Sequence, residues 1–85
     1  MNFLHSEAKI GPDNCFLVSL SAQANVKLLD DCNFRNYKAG RRHEYQGGLA
    51  KRSPVRLSPP HFGVWHVVVD MGGYSGRVRA NIDVI

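Results

Sequence analysis

The residues best suited to chemistry lie in one basic segment, residues 34–56, in which aromatic and cationic side chains are interspersed. Seven of the eleven Lys and Arg residues of the chain fall within it, against a single acid, Glu44. Arginine offers a planar fork for phosphate or carboxylate, and aromatic faces stack on bases or sugars. The candidate ligand-binding residues are Phe34, Arg35, Tyr37, Arg41, Arg42, His43, Tyr45, Lys51, Arg52 and Arg56.

Two interpretations of the basic segment stay open. A solvated loop whose charge only serves solubility would have the same composition. The segregation of charge instead favours an anionic small molecule, a nucleic acid phosphate or an acidic protein surface as partner. The sequence shows no helix-turn-helix, zinc-finger or aromatic RNA-binding pattern, so base-specific recognition has no support. We expect a binding or sensing module.

Signatures of catalysis and metal binding are absent from the sequence. The series Gly73-Tyr74-Ser75-Gly76 has its glycines misplaced for a nucleophile elbow and fits a hairpin turn. The four histidines lack metal-ligand spacing, and Cys15 and Cys32 are too far apart for a metal-binding knuckle. We expect the protein to have no enzymatic activity and to bind no cofactor and no metal. A small enzyme built on a Cys–His pair is the least favoured alternative.

The elements that must position these residues are predicted to be short β-strands. Apolar runs alternate with turn-forming residues at fairly regular spacing, which is typical of a sandwich or barrel. The 85 residues predict one domain, residues 1–85, with a net charge of +4 and 44% apolar content. The fold class is all-β, a compact antiparallel sandwich of jelly-roll character. We expect about six to eight short strands and little or no helix.

Individual strands are predicted with different clarity. Residues 1–7 read as a first strand, and residues 15–20 as a strand covered on much of both faces. Residues 21–32 fit a strand or a short helix, and strand is preferred. Pro54 cannot donate to a ladder, so residues 51–58 predict an edge strand or a bulge. Residues 33–40 contain turn signals, and a further strand is expected around residues 42–46.

Residues 64–85 predict a β-hairpin. Trp65, Val67 and Val69 share one face, while His66 and Asp70 share the other, which is predicted to face solvent. With a four-residue loop at 72–75, the register pairs Val69 with Val78, Val67 with Ala80, Trp65 with Ile82 and Asp70 with Arg77.

The sequence also bears on location and assembly. No apolar run approaches the ~18 residues of a membrane span, and no secretory signal opens the chain. We expect a cytoplasmic protein with no membrane partner and two free thiols. An alternative function is protein–protein interaction or assembly through a sheet edge or an exposed sheet face. Assembly of this kind between copies of the chain would give a homo-oligomer.

Several short motifs stand in a fixed order along nearly the whole chain. They are Asn25-Val26-Lys27-Leu28-Leu29-Asp30, Asn33-Phe34, Gly47-Gly48, Ser53-Pro54, Trp65-His66-Val67-Val68-Val69-Asp70 and Gly72-Gly73-Tyr74. This series resembles a small bacterial family of uncharacterised function. The resemblance implies a compact β-sandwich of jelly-roll character with no assigned catalytic residues. Some relatives carry the domain beside a TIR domain, which implies a sensing or adaptor role in bacterial defence.

Overall fold

Seven β-strands and one α-helix make up the part of the chain that the computed structural model describes, residues 3–71 and 78–85. In chain order they are β1 (Phe3–Ile10), β2 (Phe16–Leu20), β3 (Ala24–Asp30), α1 (Asp31–Lys38), β4 (Gln46–Ala50), β5 (Val55–Leu57), β6 (Gly63–Asp70) and β7 (Ala80–Val84). The strands form a four-stranded sheet, ordered β1-β6-β3-β4, and a three-stranded sheet, ordered β5-β2-β7. All pairs are antiparallel. The predicted all-β class is confirmed.

Both sheets contribute to one buried apolar cluster, so they pack face to face as a sandwich. Phe16 and Val18 of β2 are fully buried against side chains from the four-stranded sheet. Trp65, Val67 and Val69 of β6 belong to the same cluster, which confirms the predicted inward face of that strand. Burial of side chains of this size stabilises the fold by about 1.5–3 kcal/mol each.

The predicted hairpin of residues 64–85 is wrong. β6 pairs with β1 on one side and β3 on the other, whereas β7 pairs with β2 in the other sheet. Ala80 and Ile82 therefore lie opposite Leu20 and Val18 instead of Val67 and Trp65. β6 is a central strand with both of its edges occupied, which leaves no edge for β7. The predicted loop at 72–75 and the predicted Arg77 partner of Asp70 lie outside the described residues.

The outer face of the four-stranded sheet is covered by helix α1, where the sequence predicts only turn signals. The Asp30 carboxylate caps the helix by accepting a hydrogen bond from the Asn33 backbone N–H at 2.8 Å. Because α1 packs on this face, His66 and Asp70 are buried, at 3% and 6% exposure, and their predicted solvent exposure is wrong. The one helix of the described residues agrees with the expectation of little or no helix, but its position at Asp31–Lys38 was not predicted.

The remaining strands agree with the sequence to within a few residues. Residues 24–30 form a strand, as preferred, and the helix begins only at Asp31. β5 lies at the edge of its sheet, which confirms the edge strand predicted beside Pro54. β4 lies a few residues beyond the predicted 42–46, because Gly47 and Gly48 are part of the strand, with φ of +105° and +140°.

No helix among residues 3–71 and 78–85 has the length and apolar character needed to span a membrane. Cys15 and Cys32 carry free thiols.

Candidate functional site

Two aromatic residues of the basic segment are buried beneath helix α1. Phe34 and Tyr37 project from α1 onto the outer face of the four-stranded sheet, beside Leu29 and Val68. The Tyr37 hydroxyl donates to Asp70 Oδ2 at 2.6 Å. Burial raises the pKa of Tyr37 above its usual value, and the hydrogen bond to Asp70 raises it further. These rings pack against the protein itself and leave little surface for a ligand.

Arg35 lies on the exposed side of the same helix. Its guanidinium contacts Asp31 Oδ2 at 3.0 Å, one helical turn earlier. Exposed pairs at this spacing are worth about 0.3–0.5 kcal/mol. The structure therefore assigns Arg35 a partner within the chain.

The loop after α1 surrounds a lysine that the sequence analysis did not single out. Lys27 Nζ lies 5.1 Å from the centre of the Tyr37 ring and 4.6 Å from that of Tyr45. It also donates to His43 Nε2 at 3.4 Å. His43 Nδ1 donates to the Arg41 carbonyl at 3.0 Å, which fixes the tautomer and leaves Nε2 to accept. Tyr37 of α1 and Tyr45 of the loop thus contact the Lys27 ammonium group.

Lys51 and Arg52 lie elsewhere, on a groove between the edge strands β4 and β5. The groove has a volume of about 450 Å³. Apart from these two cations it is built from apolar side chains and backbone: Val26, Gly47, Gly48, Leu49, Ala50, Pro54 and Val55. Both cations are exposed. The structure therefore combines an apolar concavity with two positive charges.

The other three cations of the prediction are exposed but do not line this groove. Arg41 and Arg42 belong to the loop after α1, and Arg56 lies in β5 opposite Leu17. Within residues 3–71 and 78–85, none of the candidate cations Arg41, Arg42, Lys51, Arg52 and Arg56 forms an ion pair. The excess positive charge of the basic segment is therefore not neutralised by the chain's own acids.

A second polar cluster lies on the outer face of the four-stranded sheet. His5 Nε2 and His66 Nδ1 are 2.8 Å apart, and His66 Nε2 lies 3.0 Å from Asp31 Oδ1. The Phe34 ring stacks on both imidazoles, with centroid distances of 4.2 Å. Partial desolvation of its ring lowers the pKa of His5 below its usual value, and the neighbouring His66 lowers it further.

Sequence reasoning missed the His5–His66–Asp31 cluster for a specific reason. Strand alternation reveals which residues of one strand share a face, but not that β1 lies beside β6. The register sets Glu7 opposite His66 and His5 opposite Val68, so the two histidines are diagonal neighbours. Asp31 is the first residue of helix α1, which the sequence did not predict. Among the described residues, no group of three or more His, Cys, Asp or Glu side chains is arranged to hold a metal ion.

A family model described as a domain of unknown function, DUF1883, matches residues 1–85. No curated protein and no solved structure matches the chain.

Proposed function

The chain belongs to the family of domains of unknown function DUF1883, and we propose that it is a binding module that holds an amphipathic anion in the groove between β4 and β5. The ligand class is a small molecule with an apolar body and a carboxylate or phosphate head. The observation that carries the proposal is the pair Lys51 and Arg52 beside an apolar groove.

The size and lining of the groove support this ligand class. A volume of about 450 Å³ lies within the ~300–1,000 Å³ of small-molecule sites. Burying about 100 Å² of apolar ligand surface contributes about 2.5 kcal/mol, and a hydrogen bond to a charged group about 1.5–3 kcal/mol. Neither contribution alone gives tight binding, so the ligand needs both an apolar part and a negative charge.

The walls and the two cations of the groove determine which anions fit it. Leu49, half exposed in β4, and Val55 in β5 form walls that come from different sheets. Arg52 can hold an oxyanion with two parallel N–H donors, whereas Lys51 supplies a point charge. An anion with two oxygens, such as a carboxylate or phosphate, fits this pair better than a halide does.

The test uses 8-anilinonaphthalene-1-sulfonate, an anion with an apolar aromatic body and a sulfonate head, whose fluorescence rises on binding. The double variant Lys51→Gln with Arg52→Gln should weaken binding about tenfold, which corresponds to about 1.4 kcal/mol. The matched control, Arg41→Gln with Arg42→Gln, removes the same charge from the loop after α1 and should change affinity less than about twofold. Equal losses in the two double variants would show charge attraction without a site and would overturn the proposal.

A second candidate function is assembly through a sheet edge, the alternative that the sequence also raised. The eight-residue strand β1 ends the four-stranded sheet and, within the described residues, pairs only with β6. Edge strands of this length offer backbone groups to another chain. Light scattering across a concentration series tests it: a strictly monomeric protein at high concentration would count against assembly.

A further inference from the structure

We propose that His5, His66 and Asp31 form a nucleophilic site, separate from the groove, in which His5 Nδ1 accepts acyl groups from activated carboxylic esters. This activity goes beyond the proposed binding function. It also departs from the expectation, drawn from sequence motifs, of a domain without catalysis.

The proposed resting state has the lone pair of His5 on Nδ1, in agreement with the hydrogen bonds of the cluster. The Asp31 carboxylate, held by Arg35 at 3.0 Å, only accepts, so His66 Nε2 donates to it. In the proposed resting state His66 carries a proton on Nε2 alone, so its Nδ1 accepts from His5 Nε2–H at 2.8 Å. Neutral His5 therefore has its lone pair on Nδ1. His5 is exposed, and no hydrogen bond to its Nδ1 comes from the part of the chain that the structure describes.

The arrangement has the three parts of an activated nucleophile. A nucleophile lies within hydrogen-bond distance of a base, and the base is oriented by a third group. His5 is the nucleophile, His66 the base and Asp31 the orienting carboxylate. The His66 imidazole is itself only 3% exposed, so water has little access to the base.

Phe34 keeps the two imidazoles in position. Its ring is nearly parallel to both, with interplanar angles of 15° to His5 and 10° to His66. The same stack limits rotation of His5 about its side-chain bonds. The hydrogen-bonded chain is therefore held in one geometry before any ligand arrives, which is the condition for efficient proton transfer.

The proposed reaction is balanced with water as the only co-reactant. His5 Nδ1 forms a bond to the ester carbonyl carbon, and the carbon–oxygen bond to the leaving alcohol breaks. The proton on His5 Nε2 passes to His66 Nδ1, and Asp31 stabilises the resulting imidazolium. Water then adds to the acyl carbon and releases the carboxylic acid. His66 returns its proton to His5, and the second proton of water goes to the alkoxide.

Neighbouring charges favour an acyl group over a phosphoryl group. Glu7, on the same face of β1, lies 3.8 Å from His66 Nδ1 and would repel a dianionic phosphoryl donor. A neutral ester meets no such repulsion. Lys38, on helix α1, lies 4.7 Å from the centre of the Phe34 ring and adds a positive charge near His5.

The pH dependence follows from the groups that face His5. Glu7 on β1 raises its pKa, whereas burial, His66 on β6 and Lys38 on α1 lower it, with burial the largest cause. The net effect is a lowered pKa, so His5 stays unprotonated and reactive at pH values where a solvated imidazole is already protonated. The rate should reach half its plateau below pH 6.5, the usual pKa of histidine.

The experiment follows 4-nitrophenolate release from 4-nitrophenyl acetate by the full chain. His5→Gln removes the nucleophile and should reduce the protein-dependent rate at least about 100-fold. The matched control His61→Gln removes another exposed histidine, which lies beside the Phe62 carbonyl and Trp65, away from His5 and His66, and should leave the rate unchanged. Equal rates for wild type and His5→Gln, or equal losses in both variants, would overturn the proposal.

A second variant tests the role of His66 as a positioning residue. Glutamine at this position keeps an amide donor and acceptor but cannot take a proton. His66→Gln should slow the reaction about 100-fold and move the half-plateau pH, while circular dichroism stays native. Asp31→Asn, at a half-exposed side chain, serves if His66→Gln does not fold, with the same expected direction. A wild-type rate and unchanged half-plateau pH in a folded variant would contradict the relay.

Discussion

At the scale of single residues, Asp70 is a buried carboxylate held by donors from other elements. Tyr37 donates at 2.6 Å and Asn25 at 3.1 Å. Tyr37→Phe removes the shorter bond and should lower the free energy of unfolding by about 1.5–3 kcal/mol, because a charged acceptor loses a donor. Urea denaturation measures this loss. Tyr45→Phe, at an exposed ring, should cost less than about 0.5 kcal/mol; equal losses would contradict this account of Asp70.

His5 gives stability a pH dependence that follows from its lowered pKa. Between its folded pKa and 6.5, the unfolded chain binds more protons than the folded chain. The contribution of His5 to stability is therefore complete above pH 6.5 and is lost as the pH falls. We expect the difference in unfolding free energy between about pH 7.5 and about pH 5.5 to be smaller in His5→Gln than in the wild type. A larger difference in the variant would contradict a lowered pKa of His5 in the folded chain.

Residue types alone located part of the candidate sites. Few acidic residues lie near Lys51 and Arg52 in the sequence, so a net positive charge could be predicted for this segment. In the structure both residues line one groove. Phe34 and Tyr37 could not be separated from the exposed Tyr45, because an aromatic side chain gives no sign of whether a helix buries it. The pairing of His5 with His66 depends on contacts between strands that are distant in sequence, and no local pattern contains that information.

At the scale of elements, the Asp30 cap fixes where β3 ends and α1 begins. Its Oδ1 accepts from the backbone N–H of Asn33 at 2.8 Å and from Asn33 Nδ2 at 3.0 Å. Asp30→Ala should therefore cost about 0.5–2 kcal/mol, and Asp30→Asn should retain most of the cap. Thermal unfolding of the two variants, with Asp13→Ala as an exposed control, checks the order. An Asn variant as unstable as the Ala variant would contradict the capping role.

Strand β4 depends on a glycine that lies close to its neighbour. A Cβ atom on Gly47 would overlap the Val26 carbonyl oxygen, and φ is +105°. Gly47→Ala should therefore cost about 3 kcal/mol or more and deform the groove. Gly40→Ala has a positive φ of +72° but open space around it, and it should cost only about 1–2 kcal/mol. Chemical denaturation of both variants checks this; the reverse order would be inconsistent with the close approach.

The alternation of strand residues predicted correctly which side chains share a face, but it predicted the wrong strand partners. Trp65, Val67 and Val69 point into the core as predicted, because a period of two fixes which side chains share a face. Several strands of the chain show the same alternation. The alternation alone therefore could not exclude β7 as the neighbour of β6. The deciding fact is that β1 and β3 occupy both edges of β6, which only long-range packing determines.

At the scale of the whole molecule, the two sheets share one core and should unfold together. Val18 in the three-stranded sheet is fully buried, and the single tryptophan, Trp65, reports from the other sheet. Val18→Ala leaves a cavity and should cost about 1–3 kcal/mol. Because the cavity lies between the sheets, the Trp65 fluorescence transition and the far-ultraviolet circular dichroism transition should shift by the same amount.

The matched control for this substitution lies in the same sheet. Val84 in β7 is 44% exposed, so Val84→Ala should cost less than about 0.5 kcal/mol and leave both transitions in place. If Val18→Ala lowered the circular dichroism midpoint while Trp65 fluorescence kept its wild-type midpoint, the sheets would be separate folding units. A shared core does not permit that outcome, since Val18 packs in the same cluster as Val67 and Val69.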